Sequence, residues 1–183
     1  MITQVQGNLV TYPLDAFIHQ ANCFCTMNSG VAKTVRLTYP EVYEADCKTK
    51  KGDKSKMGTF SFAKTRDGKF GFNLYSQYDF GYDGKCRTDY LAIKNGLTKI
   101  LTHVLENCPP NAKIGIPCKM GCVRGGGDWN EVMRIINEVF TEMPVQVFIV
   151  EFNEYSTKDD DSLSKLRKAY KKHDLMGEVI EEE

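Results

Sequence analysis

His19 follows the apolar run Ala16-Phe17-Ile18 and precedes Gln20-Ala21-Asn22, which brings an imidazole to the end of a strand that enters a loop. An imidazole titrates near neutral pH, so it can act as general acid or base, or assist an attacking water. The same residue in an apolar strand also fits a hydrogen-bonded core histidine. A second chemistry-bearing stretch runs from Lys113 to Phe140, KIGIPCKMGCVRGGGDWNEVMRIINEVF. Its glycines (Gly121, Gly125, Gly126, Gly127) separate a buried strand through Ile114 and Ile116 from a helix that starts at Asp128. Glycines between a strand and a helix N-terminus turn backbone N–H groups toward an anion, and the helix dipole adds partial positive charge. Arg124 beside them can fork onto a phosphate. Asp128 with Glu131 has capping-box spacing, which secures the helix start; alternatively, the Asp128 carboxylate activates a water. The spacing is neither G-x-x-x-x-G-K-[ST] nor G-x-G-x-x-G, so it announces no P-loop or dinucleotide fold.

Two strand–loop–helix units must position these groups. Ala16–Ala21 is fit for a central strand. Asn22-Cys23-Phe24-Cys25-Thr26-Met27-Asn28-Ser29-Gly30 forms a second small, polar loop, and apolar spacing at Val31, Val35 and Tyr39 predicts a helix that Pro40 stops. Pro40 to Cys47 starts another short helix with proline in its first turn. Lys48 to Lys56 reads as a solvated, lysine-rich connection. Thr59–Thr65 and Lys69–Tyr75 flank Arg66-Asp67-Gly68 as a β-hairpin. Thr88 or Asp89 caps a long helix through Leu91, Ile93, Leu97, Ile100, Leu101, Val104 and Leu105. Met1–Gln6 and Val145–Val150 supply the first and last strands. The expected fold is α/β, a three-layer α-β-α sandwich with a mixed, mostly parallel sheet of about six strands. Ligands bind such sheets outside the carboxyl ends of the strands, where both glycine-bearing loops fall.

Lysine plus arginine equals aspartate plus glutamate, 24 each, so bulk charge draws the chain to neither nucleic acid nor membrane, and an anion must be held by local geometry. No apolar leader and no run of 18 apolar residues is present, and a cytoplasmic location is expected. The seven cysteines are an odd number and read as reduced thiols. Cys23 and Cys25 in one loop and Cys118 and Cys122 in the other admit a remote alternative, a zinc or redox site, although C-x-C with C-x-x-x-C is not zinc-ribbon spacing. Residues 1–152 read as one domain. Residues 153–183 read as a charged appendage, with helical spacing at Leu163, Leu166 and Tyr170.

The segments FIHQANCFCTMNSGVAKTVRLTYPEVYEADC and IPCKMGCVRGGGDWNEVMRIINEVF resemble the macrodomain family, in particular its branch of terminal ADP-ribose glycohydrolases, DNA ADP-ribosyl glycohydrolases and yeast-type ADP-ribose-1''-phosphate phosphatases. The resemblance implies a domain that binds ADP-ribose. Met27, Asn28, Ser29, Gly30, Val31 and Ala32 would wrap the distal ribose and a phosphate; Gly121, Cys122, Val123, Arg124, Gly125, Gly126 and Gly127 would hold the diphosphate. The Gly7-Asn8-Leu9 turn carries Asn8 where the family usually has an adenine-binding aspartate, and Ile18, Ser76, Gln77 and Tyr78 fall among the implied contacts. The glycohydrolase lysine position falls in Leu74–Tyr78, which has no lysine, and the loop acid position near Val123-Arg124-Gly125 has no acid before Asp128. His19 matches the histidine of phosphatase-like members and Asn22 the asparagine turned toward the distal ribose, so His19, Asn22 and Asp128 are the candidate catalytic residues. The reading is a hydrolase acting at the distal ribose of ADP-ribose or a derivative, with ADP-ribosylated protein or nucleic acid as a substrate. It implies no cofactor, no metal and no membrane partner, and a monomer; the alternative is a binding module without turnover. Tyr75, Tyr78, Phe80 and Tyr82 form a lid, stack against ribose or adenine, or are loop anchors, and Trp129 packs rather than stacks on a base.

Overall fold

Short β-branched and aromatic runs bounded by turn residues pair into a single sheet, and the 3.6-periodic segments between them cover its two faces. The computed structural model describes residues 1–81 and 83–152; Tyr82 and the charged stretch from residue 153 lie outside the described residues. In chain order the elements are β1 (Ile2–Gln6), β2 (Ala16–Asn22), α1 (Gly30–Thr38), α2 (Pro40–Cys47), β3 (Phe60–Lys64), β4 (Phe70–Gln77), α3 (Tyr90–Asn107), β5 (Lys113–Pro117), α4 (Trp129–Phe140) and β6 (Gln146–Glu151). The strand order is β1-β6-β5-β2-β4-β3, parallel throughout except for the β3–β4 hairpin. The mixed, mostly parallel sheet with helices on both faces is the expected architecture. Among the described residues, no helix is long and apolar enough to cross a membrane.

Period-two alternation sorts each strand between two cores. Ala16, Ile18, Phe72, Leu74, Ile114 and Ile116 pack with Ile93, Leu97 and Ile100 of α3 and Val132, Ile135 and Ile136 of α4. On the other face Phe17 packs with Val35, Tyr39 and Val42 from α1 and α2. The α1 and α2 face also holds a buried polar layer, comprising His19, Asn73, Tyr75 and Asp46 with Lys56 above them. Lys56 corrects the expectation of a fully solvated Lys48–Lys56 connection. A 3-10 turn at Lys54–Lys56 drops its side chain inward, leaving it 7% exposed, because Asp46 on the inward face of α2 offers an opposite charge 3.8 Å away.

The two central strands part toward their carboxyl ends. β2 and β5 share only the register Ala16–Ile114 and Phe17–Gly115, whereas β2 stays paired with β4 out to Asn22–Gln77. From this split β2 feeds α1 on one face and β5 feeds α4 on the other, a topological switch point that leaves a crevice between the two loops.

Gly96 sets how closely α3 lies on β4. A Cβ there would stand 2.1 Å from Leu74 Cδ1, and Leu74 is fully buried. Gly96→Ala is therefore expected to destabilise the domain by about 1–3 kcal/mol, despite the better helix propensity of alanine. The shift in urea midpoint at unchanged m-value measures it.

Candidate functional site

The second glycine loop is seated on one hydroxyl. Thr88 Oγ1 donates to the Gly121 carbonyl at 2.6 Å and accepts from Gln20 Nε2 at 3.2 Å, while the N–H groups of Arg87 and Thr88 both reach the Gly125 carbonyl. The fit explains the glycines. A Cβ at Gly125 would lie 2.3 Å from Thr88 Oγ1, one at Gly121 2.9 Å from Gln20 Nε2, and one at Gly127 3.1 Å from the Gly121 carbonyl oxygen. Gly126 packs against Cys86, whose Cα lies 3.1 Å from where a Gly126 Cβ would stand. The N–H groups of Gly126 and Gly127 are used inside the loop, on the carbonyls of Cys122 and Gly121. Among the described residues, the Val123 and Gly125 N–H groups make no hydrogen bond.

The first loop is fixed by Asn22. Its Nδ2 donates to Thr26 Oγ1 at 2.7 Å, and its Oδ1 accepts from the Phe24 N–H at 2.8 Å. Cys25 takes a left-handed φ of 57° to complete the bend. The loop ends at α1, whose N-cap Ser29 makes no side-chain cap, so its first-turn N–H groups stay open. The other long helices are closed: Asp89 accepts from the Ala92 N–H and Asp128 from the Asn130 N–H.

Between the loops lies a cavity of about 450 Å3. It is lined by the predicted residues His19, Asn22, Met27, Asn28, Ser29, Gly30, Val31, Ala32, Gln77, Gly121, Val123, Arg124 and Gly125. An added Gly30 Cβ would lie 3.9 Å from Arg124 Nε, so the two walls nearly meet there. Of the other predicted residues, Leu9 and Ile18 have side chains buried in the two cores. Gly7 lies under the Tyr12 ring, Asn8 Oδ1 accepts from the Val10 N–H, and Ser76 accepts from Gln20. Tyr78 anchors on Phe24 and the Gly52 carbonyl, Cys122 packs against the larger core, and Gly126 borders a neighbouring hollow; none of these, nor Gly127, lines the cavity.

Asp128 is exposed outside the cavity and caps α4. The capping box expected with Glu131 does not close: the Tyr90 hydroxyl satisfies the Asp128 N–H, and Glu131 pairs with Arg134 one turn on. Trp129 packs against the core as expected. Tyr75 is buried and Phe80 lines the cavity mouth.

His19 is 1% exposed, with Nε2 2.7 Å from Asn73 Oδ1 and Nδ1 3.1 Å from the Gln20 carbonyl. Asn73 Nδ2 donates to the Val42 carbonyl, so Oδ1 faces the imidazole and Nε2 carries the proton. Burial pushes the imidazole below the ordinary histidine value, outweighing the opposing pull of the Asn73 and Gln20 hydrogen bonds and the Asp46 charge.

The four loop thiols form no metal centre. Cys23 and Cys25 surround Lys56, Cys118 and Cys122 pack beside α3 and α4, and no group of three or more His, Cys, Asp or Glu among the described residues is placed to hold a metal ion. Burial pushes all four thiols above the usual cysteine value, away from reactive thiolate.

Gln20, Thr88 and Asp46 shape the site but were not among the candidates. Asp46 carried a legible signal: Val35, Tyr39, Val42 and Asp46 follow 4-3-4 spacing, which puts an acid on the inward stripe of α1 and α2.

Comparison with known proteins places this geometry. No protein-family model matches the chain. An uncharacterized 17.5 kDa protein from the tk–vs intergenic region of Enterobacteria phage T4 is 27% identical over 154 residues, covering 80% of this chain and 95% of the phage protein. Among solved structures, the macrodomain of Mycobacterium tuberculosis DarG superposes with a TM-score of 0.66 at 22% identity, over 82% of this chain and 97% of its own. The chain has the macrodomain fold. The same macrodomain core is found in Thermosipho africanus DarTG, solved in complex with ADP-ribose (TM-score 0.60, 18% identity, 84% of this chain and 42% of that one). It is also found in a Trypanosoma brucei macrodomain solved in complex with ADP (TM-score 0.61, 18% identity, 86% and 66%).

The lowered value of His19 gives this macrodomain fold a pH signature. Below the ordinary value of about 6.5 the unfolded chain takes up a proton that the folded chain refuses, so stability falls as pH drops through that value and stops falling at the folded one. His19→Gln is expected to flatten this decline between about pH 7.5 and 5.5, as measured by urea denaturation at a series of pH values.

Proposed function

We propose that the cavity binds ADP-ribose and that the chain hydrolyses a linkage at the distal ribose of an ADP-ribose derivative. One observation carries the binding reading: the uncapped N-terminus of α1 and the residues Val123 and Gly125, whose N–H groups are unbonded, line one cavity, while α3 and α4 are capped. Open backbone donors on two opposed walls suit a diphosphate, which needs hydrogen bonds around two anionic groups at once. The formal charge of the chain is zero, so this local arrangement supplies the attraction. The ADP-ribose and ADP bound to the Thermosipho and trypanosome proteins support the same ligand class in this fold.

In this pose the diphosphate lies against Ser29–Ala32 and Val123–Gly125, and the distal ribose points toward Asn22, His19 and Asp46. Hydrolysis is the finer part of the reading, supported by the polar, buried character of that end of the cavity. The linkage is a phosphate, an acyl group, or an ADP-ribosyl bond to protein or nucleic acid. A binding module without turnover is the second reading. It is favoured by the engagement of Asn22 and of the His19 Nε2–H in internal hydrogen bonds and by Gln77, rather than a lysine, at the end of β4. Phosphate release from ADP-ribose-1''-phosphate and loss of ADP-ribose from modified protein or DNA separate the two; saturable binding with no turnover of any of these leaves the module.

Val31→Glu tests the binding pose. Val31 is 39% exposed, lines the cavity and sits in the first turn of α1, where a carboxylate favours the helix dipole. The substitution is expected to leave the thermal midpoint unchanged or raised while weakening ADP-ribose at least about tenfold by calorimetry, through repulsion of the diphosphate. Unchanged affinity would place the diphosphate elsewhere.

A further inference from the structure

Asp46 lies in the last turn of α2, is 1% exposed, and nevertheless lines the cavity. It is the only carboxylate among the cavity-lining residues described. One of its oxygens is held firmly. Oδ1 accepts from the Tyr75 hydroxyl at 2.7 Å and stands 3.8 Å from Lys56 Nζ. Lys56 is fixed in turn by the Cys23 carbonyl at 3.2 Å and by the face of the Tyr75 ring, 4.3 Å from its centroid. Tyr75 completes the frame through Ser61 at 2.7 Å. Among the described residues, no hydrogen bond reaches Oδ2.

That asymmetry is unusual for an ion pair serving only the fold. A buried carboxylate is tolerated when its acceptor sites are filled, and half of this one is unbonded in a residue that lines the cavity. A clamped oxygen beside an open one is how a carboxylate is aimed at a water. His19, the neighbouring alternative, has no such opening: its Nε2–H is spent on Asn73, and its Nδ1 faces the Gln20 carbonyl.

We infer that Asp46 is the general base of the proposed hydrolysis, with Tyr75 and Lys56 as positioning residues; the inference rests on the hydrolase reading above. Asp46 Oδ2 takes a proton from a water lodged between it and the distal ribose. The water oxygen bonds to the electrophilic atom of the linkage, and the bond from that atom to the leaving oxygen breaks with its electron pair. The proton passes from Asp46 to the leaving oxygen, or to solvent where that oxygen leaves as a stable anion, so one water is added across the bond and no other reactant is consumed. Lys56 sits behind Asp46, does not line the cavity, and is not a nucleophile.

The test compares the native chain with Asp46→Asn on ADP-ribose-1''-phosphate and on ADP-ribosylated protein and DNA, with calorimetry of ADP-ribose alongside. Asparagine keeps an acceptor for Tyr75 and removes the base. The expected result is a fall in kcat of about 100- to 10,000-fold with the ADP-ribose Kd within about threefold of native. Tyr75→Phe is expected to lower kcat by about tenfold at unchanged KM, because it frees the carboxylate without touching ligand. Should Asp46→Asn fold poorly beside an uncompensated Lys56, the paired change Asp46→Asn with Lys56→Met removes both charges and carries the same expected loss of kcat. An active native chain whose Asp46→Asn form turns over at a native rate overturns the assignment of Asp46 and leaves the hydrolase reading standing. Weakened ADP-ribose binding with kcat retained makes Asp46 a ribose ligand and also overturns it. A native chain that binds ADP-ribose but turns over none of the three substrates sinks the hydrolase reading, and the inference with it.

Discussion

The cleft depends on one hydroxyl. Thr88 Oγ1 lies between Gln20 of β2 and the carbonyl of Gly121, so a single side chain ties the central strand to the loop that follows its neighbour. β2 and β5 stop pairing after Phe17–Gly115, and with no bridge above that point the two loops would be free to drift apart. Breaking a buried hydrogen bond while its partners stay dry costs roughly 1–3 kcal/mol; here Gln20 would keep Ser76 and the Gly121 carbonyl would keep the Gly127 N–H, so what is lost is the tie between strand and loop. The glycines follow from the same constraint. With a Cβ 2.3 Å from Thr88 Oγ1, any side chain at Gly125 would push the loop off its seat. Their first role is close approach, and the open Val123 and Gly125 N–H groups are its consequence.

The chain also withholds caps selectively. Asp89 and Asp128 close α3 and α4, each contributing about 1 kcal/mol in the usual case. Ser29 has the right chemistry and the same extended backbone to do this for α1, yet its side chain makes no cap hydrogen bond. Leaving those donors open has a stability cost, and it is placed where α1 meets the cavity. In a chain of balanced charge, an anion site has to be made of such local omissions rather than of surplus lysines.

Much of this was legible in the sequence because local pattern and tertiary packing agree. Alternating apolar runs gave the strands, Asp67-Gly68 the hairpin, and Pro40 the break between α1 and α2. What escaped were choices between chemically equivalent partners. Thr88 and Asp89 are both competent caps, and only the packed loop shows that Asp89 takes the helix while Thr88 is released to Gly121. Glu131 could reach back to the N-cap or forward to Arg134. The Tyr90 hydroxyl, distant in sequence, occupies the N-cap donor, and the forward pair forms. The lysine-rich segment before β3 reads as solvated on composition, and one member of it is buried because of an acid on α2 that composition cannot pair with it. Asp128 admitted both a capping and a catalytic reading for the same reason, since both roles suit a carboxylate at a helix start, and the structure shows it as the α4 cap, outside the cavity lining.

The Asp46–Lys56 pair shows how a departure from good packing carries information. Burying two charges costs several kcal/mol per ion, and well-packed apolar residues often serve a core as well or better. Lys56 recovers part of that cost from the Tyr75 ring and the Cys23 carbonyl, and Asp46 from the Tyr75 hydroxyl. Tyr75 and Lys56 both meet Asp46 at Oδ1, and the other oxygen is left without a hydrogen bond among the described residues, in a side chain that lines the cavity. A pair selected for stability alone has no reason to be so lopsided, because filling the second oxygen is the cheaper arrangement for a buried carboxylate. On the function proposed above, the imbalance is what a site requires when the missing partner arrives with the ligand, and that proposal assigns the chemistry to the β2–α2 side of the cleft and the diphosphate to the glycine loop opposite.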